Sequence, residues 1–420
     1  MIDEFNIRLG GMGLRILLAA TMSWPATARI AGGLDRFGCH VDVLCPAEAP
    51  VRHSRYVNLR HIYRALSPVM SLRDALSVSR PDLVIPCDDR AVQHMLRLHE
   101  MEPQSREGQC IAHSLGMPEN YRAIMSRGIF MDECRELGIP VPHTVKLAGQ
   151  SELDAALERV GLPAVLKTDG SWGGEGVIAA ETREEAHAAY RKLSLPASPL
   201  RSLARAVLRN DAHHLHAAIA KPVARQISIQ SFIPGDPATT AFACWKGEVA
   251  GMIHTDVVVS SRPMGPASVV RRIDCAEMEA AARAIAHRFH LSGLHGLDFI
   301  RNADGKMFLL EINPRSTQTS YLAFGPGRDL LAGLLEGASG ERYRARMPAT
   351  ANQLVALFPQ EWARDPSSPY LKAAFHDIPW DDPDLLRAWL AVTPPRYAQS
   401  ATPMHLAAKK RVYGLETIPS

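Results

Sequence analysis

The stretch Gly296-Leu-Asp-Phe-Ile-Arg-Asn-Ala-Asp-Gly-Lys-Met-Phe-Leu-Leu-Glu-Ile-Asn-Pro-Arg315 decides how the rest of the chain is read. Two apolar runs, 296–300 and 307–312, flank the turn residues Asn302-Ala-Asp-Gly305, a pattern that predicts an antiparallel hairpin. In an extended chain residues two apart share a face, so Glu311, Asn313 and Arg315 fall on one side. Pairing of the strands brings Asp298 opposite the Glu311 region. Two carboxylates and an amide oxygen are hard donors of the kind Mg²⁺ takes, with phosphate oxygens and water completing its shell. Arg315 on the same side can hold a carboxylate or phosphate through two hydrogen bonds. Leu309, Leu310 and Ile312 around Glu311 argue against a freely solvated hairpin.

A second signal lies upstream. The apolar run Pro163-Ala-Val-Leu-Lys167 predicts a short strand, and Thr168-Asp-Gly-Ser-Trp-Gly-Gly-Glu-Gly-Val177 follows at once. Gly170, Gly173, Gly174 and Gly176 allow backbone N–H groups to approach an anion closely, and Lys167 at the strand end can neutralise the same charge. No Gly-Lys-Ser/Thr closes the loop, so it is not a Walker A loop. A glycine-rich hairpin tip would look the same in isolation.

The two signals in this order and at this separation resemble the ATP-grasp superfamily, over about Tyr121 to Gly340. The resemblance implies a two-lobed nucleotide-holding core preceded by an α/β domain. It places ATP between the lobes with Mg²⁺ (two ions, Mn²⁺ being an acceptable substitute) on Asp298, Glu311 and Asn313, Glu311 bridging the pair. Lys167 takes the place of the second phosphate-binding lysine. Arg127, eleven residues before Gly138, stands where the first is expected, and Gly170, Gly173, Gly174 and Gly176 form the phosphate-covering loop. Gln230-Ser-Phe-Ile-Pro-Gly235 falls at the hinge, where backbone groups of Ser231 and Ile233 meet adenine; Gln230 replaces the usual Glu. Asp236 is the candidate for the ribose hydroxyls. Arg315 and Lys167 carry the catalytic charge, and Trp172 lies where it can cover the substrate.

The remaining sequence is consistent with that frame. In 420 residues, Lys plus Arg number 47 and Asp plus Glu 44, a formal net charge of +3, which gives no nucleic-acid or membrane-surface footprint. Hydrophobic residues at 46% and charged residues at 22% suit a globular core. Seven scattered cysteines without a Cys-x-x-Cys pair predict free thiols in a reducing cytoplasm. No apolar run reaches the ~18 residues of a membrane span. The 14–28 stretch reads as a buried parallel strand rather than a signal peptide, because Asp3 and Glu4 precede it and Trp24-Pro25 end a short apolar core.

Strand–helix–strand alternation through residues 15–99 predicts a Rossmann-like parallel sheet, while Gly10-Gly11-Met12-Gly13 precedes the first strand and fails as a dinucleotide fingerprint. A single helix is predicted over 122–137. The expected fold is α/β and α+β: an N-terminal α/β domain (1–120), the ATP-grasp domain (121–340, hinge near 230–236) and a small separate C-terminal unit (341–420) richer in Pro and Trp. His213, His214 and His216 are poorly spaced for one metal, and Lys409-Lys-Arg411 reads as a solvated face. His287 and His290 fit an amphipathic helix. Arg262 with 264–268 can form a loop closing on the acceptor, and Arg271 or Arg272 can reach phosphate or a surface partner. Asp377-Ile-Pro-Trp-Asp-Asp-Pro383 fits none of these roles.

The function the resemblance implies is an ATP- and Mg²⁺-dependent ligase that makes an acyl phosphate from a small-molecule carboxylate and passes it to an amine. No nucleic acid or membrane takes part, and a homodimer is the assembly it allows. Two alternatives share these residues: a bicarbonate-activating enzyme of the carboxylase or carbamoyl-phosphate-synthase type, and a non-catalytic nucleotide-binding module.

Overall fold

The computed structural model describes residues 13–168, 176–195, 226–262 and 265–393. Of the residues singled out above, Gly170, Gly173, Gly174, Trp172, the three histidines at 213–216 and the basic run at 409–411 lie outside them. Among the described residues no helix is long and apolar enough to cross a membrane.

The chain begins with four parallel strands, β1 (Arg15–Ala19), β2 (His40–Cys45), β3 (Arg60–Ile62) and β4 (Leu83–Pro86), in the order β3-β2-β1-β4. Continuous apolar sequence is what a strand covered on both faces requires. Ile16 and Leu18 enter one core while Leu17 and Ala19 enter the other. Strand order reverses between β1 and β4, and their carboxyl ends open a crevice there. Asp88 closes its floor: the carboxylate accepts from Ala91 N and caps the helix Asp89–Met101, and it also accepts from Thr21 N at 2.6 Å and Thr21 Oγ1 at 2.9 Å. The helix Arg106–Leu115, capped by Ser105, adds an element the sequence reading did not anticipate.

A small antiparallel sheet follows, β5 (Thr144–Leu147), β6 (Ala164–Thr168), β7 (Val177–Ala180) and β8 (Ile227–Ser231), ordered β5-β8-β6-β7. Helices Leu153–Val160 and Arg183–Ser194 close its apolar face over Leu147, Leu166 and Ile229. The opposite face is polar. It carries Thr144, Lys167, Ser228 and Gln230, since Lys167 pairs with Ser228 and Gln230 with Thr144.

The third sheet has seven strands in the order β13-β12-β9-β10-β11-β14-β15. These are β9 (Asp236–Trp245), β10 (Glu248–Ser260), β11 (Ala267–Ile273), β12 (Gly293–Arg301), β13 (Met307–Asn313), β14 (Leu354–Ala356) and β15 (Phe375–His376). Here the structure corrects one expectation. The segment after Gly340 is not separate: β14 pairs with β11 and extends the core sheet, because Val355 and Leu357 complete the same apolar cluster as Val270.

The helix predicted over 122–137 is also broken, into Tyr121–Ile124 and Arg127–Glu136. Ser126 takes an extended conformation (φ −99°, ψ 103°), which makes Arg127 the first residue of a new helix.

Candidate active site

The β12–β13 hairpin is in place, with Asn302 N donating to Lys306 O across the turn and Gly305 at φ 81°. Counting from that turn, Arg301 faces Met307, Ile300 faces Phe308 and Phe299 faces Leu309. Continued without interruption, this register would set Leu310 against Asp298 and turn Glu311 to the far side. A bulge at this point skips Leu310, so Asp298 pairs directly with Glu311 and Gly296 with Asn313. A bulge re-aims a strand's side chains at the cost of one unpaired residue, and here it is what brings the two carboxylates together.

Contacts around this pair join all three parts of the chain. Asn313 Nδ2 donates to Asp298 Oδ2 at 3.0 Å. Arg315 Nη2 donates to Asn313 Oδ1 at 2.9 Å, and its Nε to Asp89 Oδ2 at 3.2 Å, on the helix that starts from the β4 end. Arg127 Nη2 meets Glu311 Oε2 at 2.8 Å, while Arg127 Nη1 is buried without a partner. Lys167 comes from the small sheet, 7% exposed, and forms no ion pair of its own among the described residues.

The electrostatics show groups of like charge confined together. Burial first, and then the Arg127 guanidinium, push the Lys167 ammonium down to about 8. Burial and the neighbouring Glu311 push the Asp298 carboxyl up to about 7. Burial also opposes charge on Glu311, but Arg127 and Lys167 outweigh it and hold that carboxyl below its usual range. An apolar environment makes such uncompensated charge costly. A hard cation between the carboxylates and an anion between Arg127 and Lys167 would relieve both strains. The donor set therefore fits Mg²⁺ and a polyphosphate.

Asp298, Glu311, Asn313, Arg315, Arg127 and Lys167 are thus brought together. Gly176 follows at the loop's far end, its carbonyl accepting from Thr168 N at 2.9 Å. Gln230 is buried on the face that carries Lys167, and its Nε2 donates to Thr144 Oγ1 at 2.9 Å. The Ser231 N–H, expected at adenine, is already committed to His143 O at 2.9 Å, which leaves the Ser231 carbonyl. Ile233 lies just beyond the end of β8.

Asp236 is not brought to the cluster. Asp298 faces Thr239 across β9, so strand alternation sends Asp236, three residues earlier and exposed, to the other face of the sheet.

Two residues of the site escaped the sequence reading. Asp89 required the tertiary fold. Ser228, whose hydroxyl is buried without a partner opposite Lys167, was legible from the alternation in Ile227-Ser-Ile-Gln230, apolar residues on one face and polar on the other. Arg271 is exposed, and Arg272 stacks over the Phe324 ring at 5.4 Å.

Comparison with known proteins agrees with this geometry. Residues 129–319 match the family model described as an ATP-grasp domain. The carbamoyl phosphate synthase large chain of Methanoculleus marisnigri is 27% identical over 196 residues, which is 46% of this chain and only 17% of that protein. The D-alanine–D-alanine ligase of Chromohalobacter salexigens is 23% identical over 232 residues, 54% of this chain and 68% of the ligase. Among solved structures, the biotin carboxylase domain of the Hydrogenobacter thermophilus 2-oxoglutarate carboxylase superposes with a TM-score of 0.57 at 14% identity, covering 80% of this chain and 72% of that one. The family match and the structural similarity agree, and residues 129–319 of this chain match an ATP-grasp domain and share its fold.

Proposed function

We propose that the protein is an ATP-dependent carboxylate–amine ligase that releases ADP and phosphate. One observation carries this: two carboxylates and two cations, drawn from four separate elements, lie side by side in a buried to half-buried cluster with their charges only partly compensated. A structural cluster of this kind would pair its charges fully, whereas a site that handles a metal–polyphosphate complex leaves them for its ligand.

Asp298, Glu311 and Asn313 would hold Mg²⁺, which supplies charge neutralisation across the β- and γ-phosphates. Lys167 takes the phosphate oxygens from the small sheet and Arg127 from the start of a helix packed with the large sheet, and the polar face with Ser228 and Gln230 leads from Lys167 toward the hinge. There the Ser231 carbonyl and the Ile233 amide are suited to the donor and acceptor on the adenine edge.

An oxygen of the acceptor carboxylate attacks the γ-phosphorus and the bond to the β-phosphate oxygen breaks, giving ADP and an acyl phosphate. Arg315, held between Asp89 and Asn313, stabilises the negative charge on the transferring group. The amine nitrogen then attacks the acyl carbon, phosphate leaves, and the nitrogen loses a proton to give the amide. No protein nucleophile is required.

The test is an ADP-release screen with Mg²⁺ and ATP that crosses carboxylic acids with amines and includes a bicarbonate arm. Release that depends on one acid and one amine, with the amide found by mass, is the expected result. Stimulation by bicarbonate alone would move the chain to the bicarbonate-activating class, to which the carbamoyl phosphate synthase similarity also points. Binding of Mg·ADP without release in any arm would favour a nucleotide-binding module.

A further inference from the structure

The motif Asp377-Ile-Pro-Trp-Asp-Asp-Pro383 follows directly on β15 at the edge of the large sheet, and its three aspartates reach back to the N-terminal part of the chain. Asp381 accepts from Arg36 Nη2 and Tyr56 OH, both at 2.9 Å, and Asp382 accepts from Ser54 Oγ at 2.6 Å. Asp377 lies deeper, 2% exposed. It accepts from Arg29 Nη2 at 2.5 Å and from the hydroxyl of Tyr321, and the Arg29 guanidinium lies over the Tyr321 ring at 5.2 Å.

Tyr321 is six residues beyond Arg315. The loop between them starts with Ser316 N donating to Pro86 O at 3.1 Å, at the end of β4. It then passes so close to the metal-ligand row that a Cβ on Gly296 would meet Thr317 Cγ2 at 2.3 Å, and Gly296 is the residue that pairs with Asn313. The loop therefore stands beside the cluster on the side of the β1/β4 crevice.

We propose that Asp377 is a positioning residue for the acceptor: through Tyr321 it fixes the 316–324 loop as a wall of the acceptor pocket. This rests on the carboxylate-activating reading given above. It gives the C-terminal segment a part in the reaction although none of its residues touches the reacting atoms. Asp381 and Asp382 tie the outer end of the motif to Arg36, Tyr56 and Ser54, while the hold on the loop is local to Asp377, Arg29 and Tyr321.

The experiment uses the full chain and three variants. Y321F removes only the hydroxyl and keeps the Arg29–Asp377 pair, D377N removes the charge, and R36A loosens the outer end of the motif as a control. In hydrogen exchange, the amides of 316–324 should exchange at least tenfold faster in Y321F and D377N, with 307–313 unchanged and R36A like the unaltered chain. The Kd for Mg·ADP should stay within twofold. In acid-dependent ADP release, KM for the acid should rise at least fivefold with kcat within twofold. Unchanged loop exchange in Y321F overturns the proposal, as does faster exchange across 307–324 with Mg·ADP binding weakened in step, which would mark general loosening. An unaltered chain that binds Mg·ADP and releases no ADP with any acid overturns the acceptor reading, independently of the exchange result.

Discussion

Two charge clusters in this molecule, one around Asp377 and one around Asp298 and Glu311, are built on opposite terms. Around Asp377 the opposite charges are paired: the carboxylate takes Arg29 and Tyr321, and the guanidinium also lies on the tyrosine ring, although its Nε is buried without a hydrogen-bond partner. Around Asp298 and Glu311 the charges crowd. Lys167 has no ion pair of its own among the described residues, Arg127 keeps one nitrogen unused, and Asp298 is pushed toward protonation by burial and then by Glu311. Both clusters cost desolvation, and the first recovers more of it within the chain, since its carboxylate and guanidinium are paired one to one while Lys167 and Asp298 face no ion-pair partner among the described residues. A satisfied cluster holds a fold together, and one left unsatisfied is kept for a ligand. Composition cannot separate them, because each consists of acids beside bases.

The contrast breaks most visibly at Glu311. E311Q keeps size and hydrogen bonding but removes the charge that faces Asp298 and Arg127, so acid-dependent ADP release should fall on the order of 10³-fold, as when a group aimed at transferring charge is lost. Mg·ADP affinity should fall with it. Retained release in E311Q would remove the metal assignment.

Next in size is a pair of variants expected to move stability in opposite directions. R29M strands Asp377 without its cation in a buried place and should cost about 3 kcal/mol. K167M removes a buried ammonium that has no ion pair, and should leave the melting temperature unchanged or raise it while weakening ATP binding. Parallel melting curves of the two variants, without nucleotide, decide the matter. A drop in K167M as large as in R29M would show that the two clusters are of one kind.

Acidity sharpens the same comparison. The folded chain holds Lys167 at about 8, below its ordinary 10.5, so between those values the unfolded chain binds more protons and stability rises with pH. Asp298 sits at about 7, above its ordinary 3.8, so between 3.8 and 7 the folded chain binds more protons and stability falls as pH rises. Urea midpoints of the nucleotide-free protein should thus fall toward pH 7 and recover above pH 8. The recovery should vanish in K167M and the fall in D298N.

Much of this was legible in the sequence, and the part that was not has a physical reason. Alternation along Glu311-Ile-Asn313 fixed which ligands share a face, and the Asn302–Gly305 turn fixed the hairpin. The bulge was not legible: the turn's own register puts Leu310 opposite Asp298, and only burial of Leu309 with Leu297 and Phe299 on one face shows why the strand must slip. Asp236 falls on the face away from Asp298 because it is the first residue of β9 and obeys strand parity with Thr239. Arg127 was found as a charge, but its aim depends on the helix break at Ser126. The motif at 377–383 gave no clue because its partners are remote in sequence: Tyr321 lies 56 residues away, and Arg29, Arg36, Ser54 and Tyr56 lie more than 300.

Asp89 lies between the two kinds of cluster and should give the smallest effect. It belongs to the N-terminal helix and is paired with Arg315, as a satisfied group would be, yet its partner also donates to Asn313 in the other cluster. In the nucleotide-free chain Arg315 is held at Nε by Asp89 and at Nη2 by Asn313 Oδ1. If Asn313 turns that oxygen to a metal, Nη2 is freed for the acceptor while Asp89 keeps the guanidinium in place. D89N retains an oxygen for Nε and loses only the charge, so it should lower kcat by roughly threefold to tenfold, the scale of one partly buried charge-assisted hydrogen bond weakened to a neutral one. Mg·ADP affinity should not change, because Asp89 bonds to Arg315 and not to Asp298, Glu311, Asn313, Arg127 or Lys167. D89A removes the oxygen as well and should cost more than D89N, with D89E between D89N and the unaltered chain. Equal losses in all three variants would mean that Asp89 serves only the helix start, and that Arg315 is aimed by Asn313 alone.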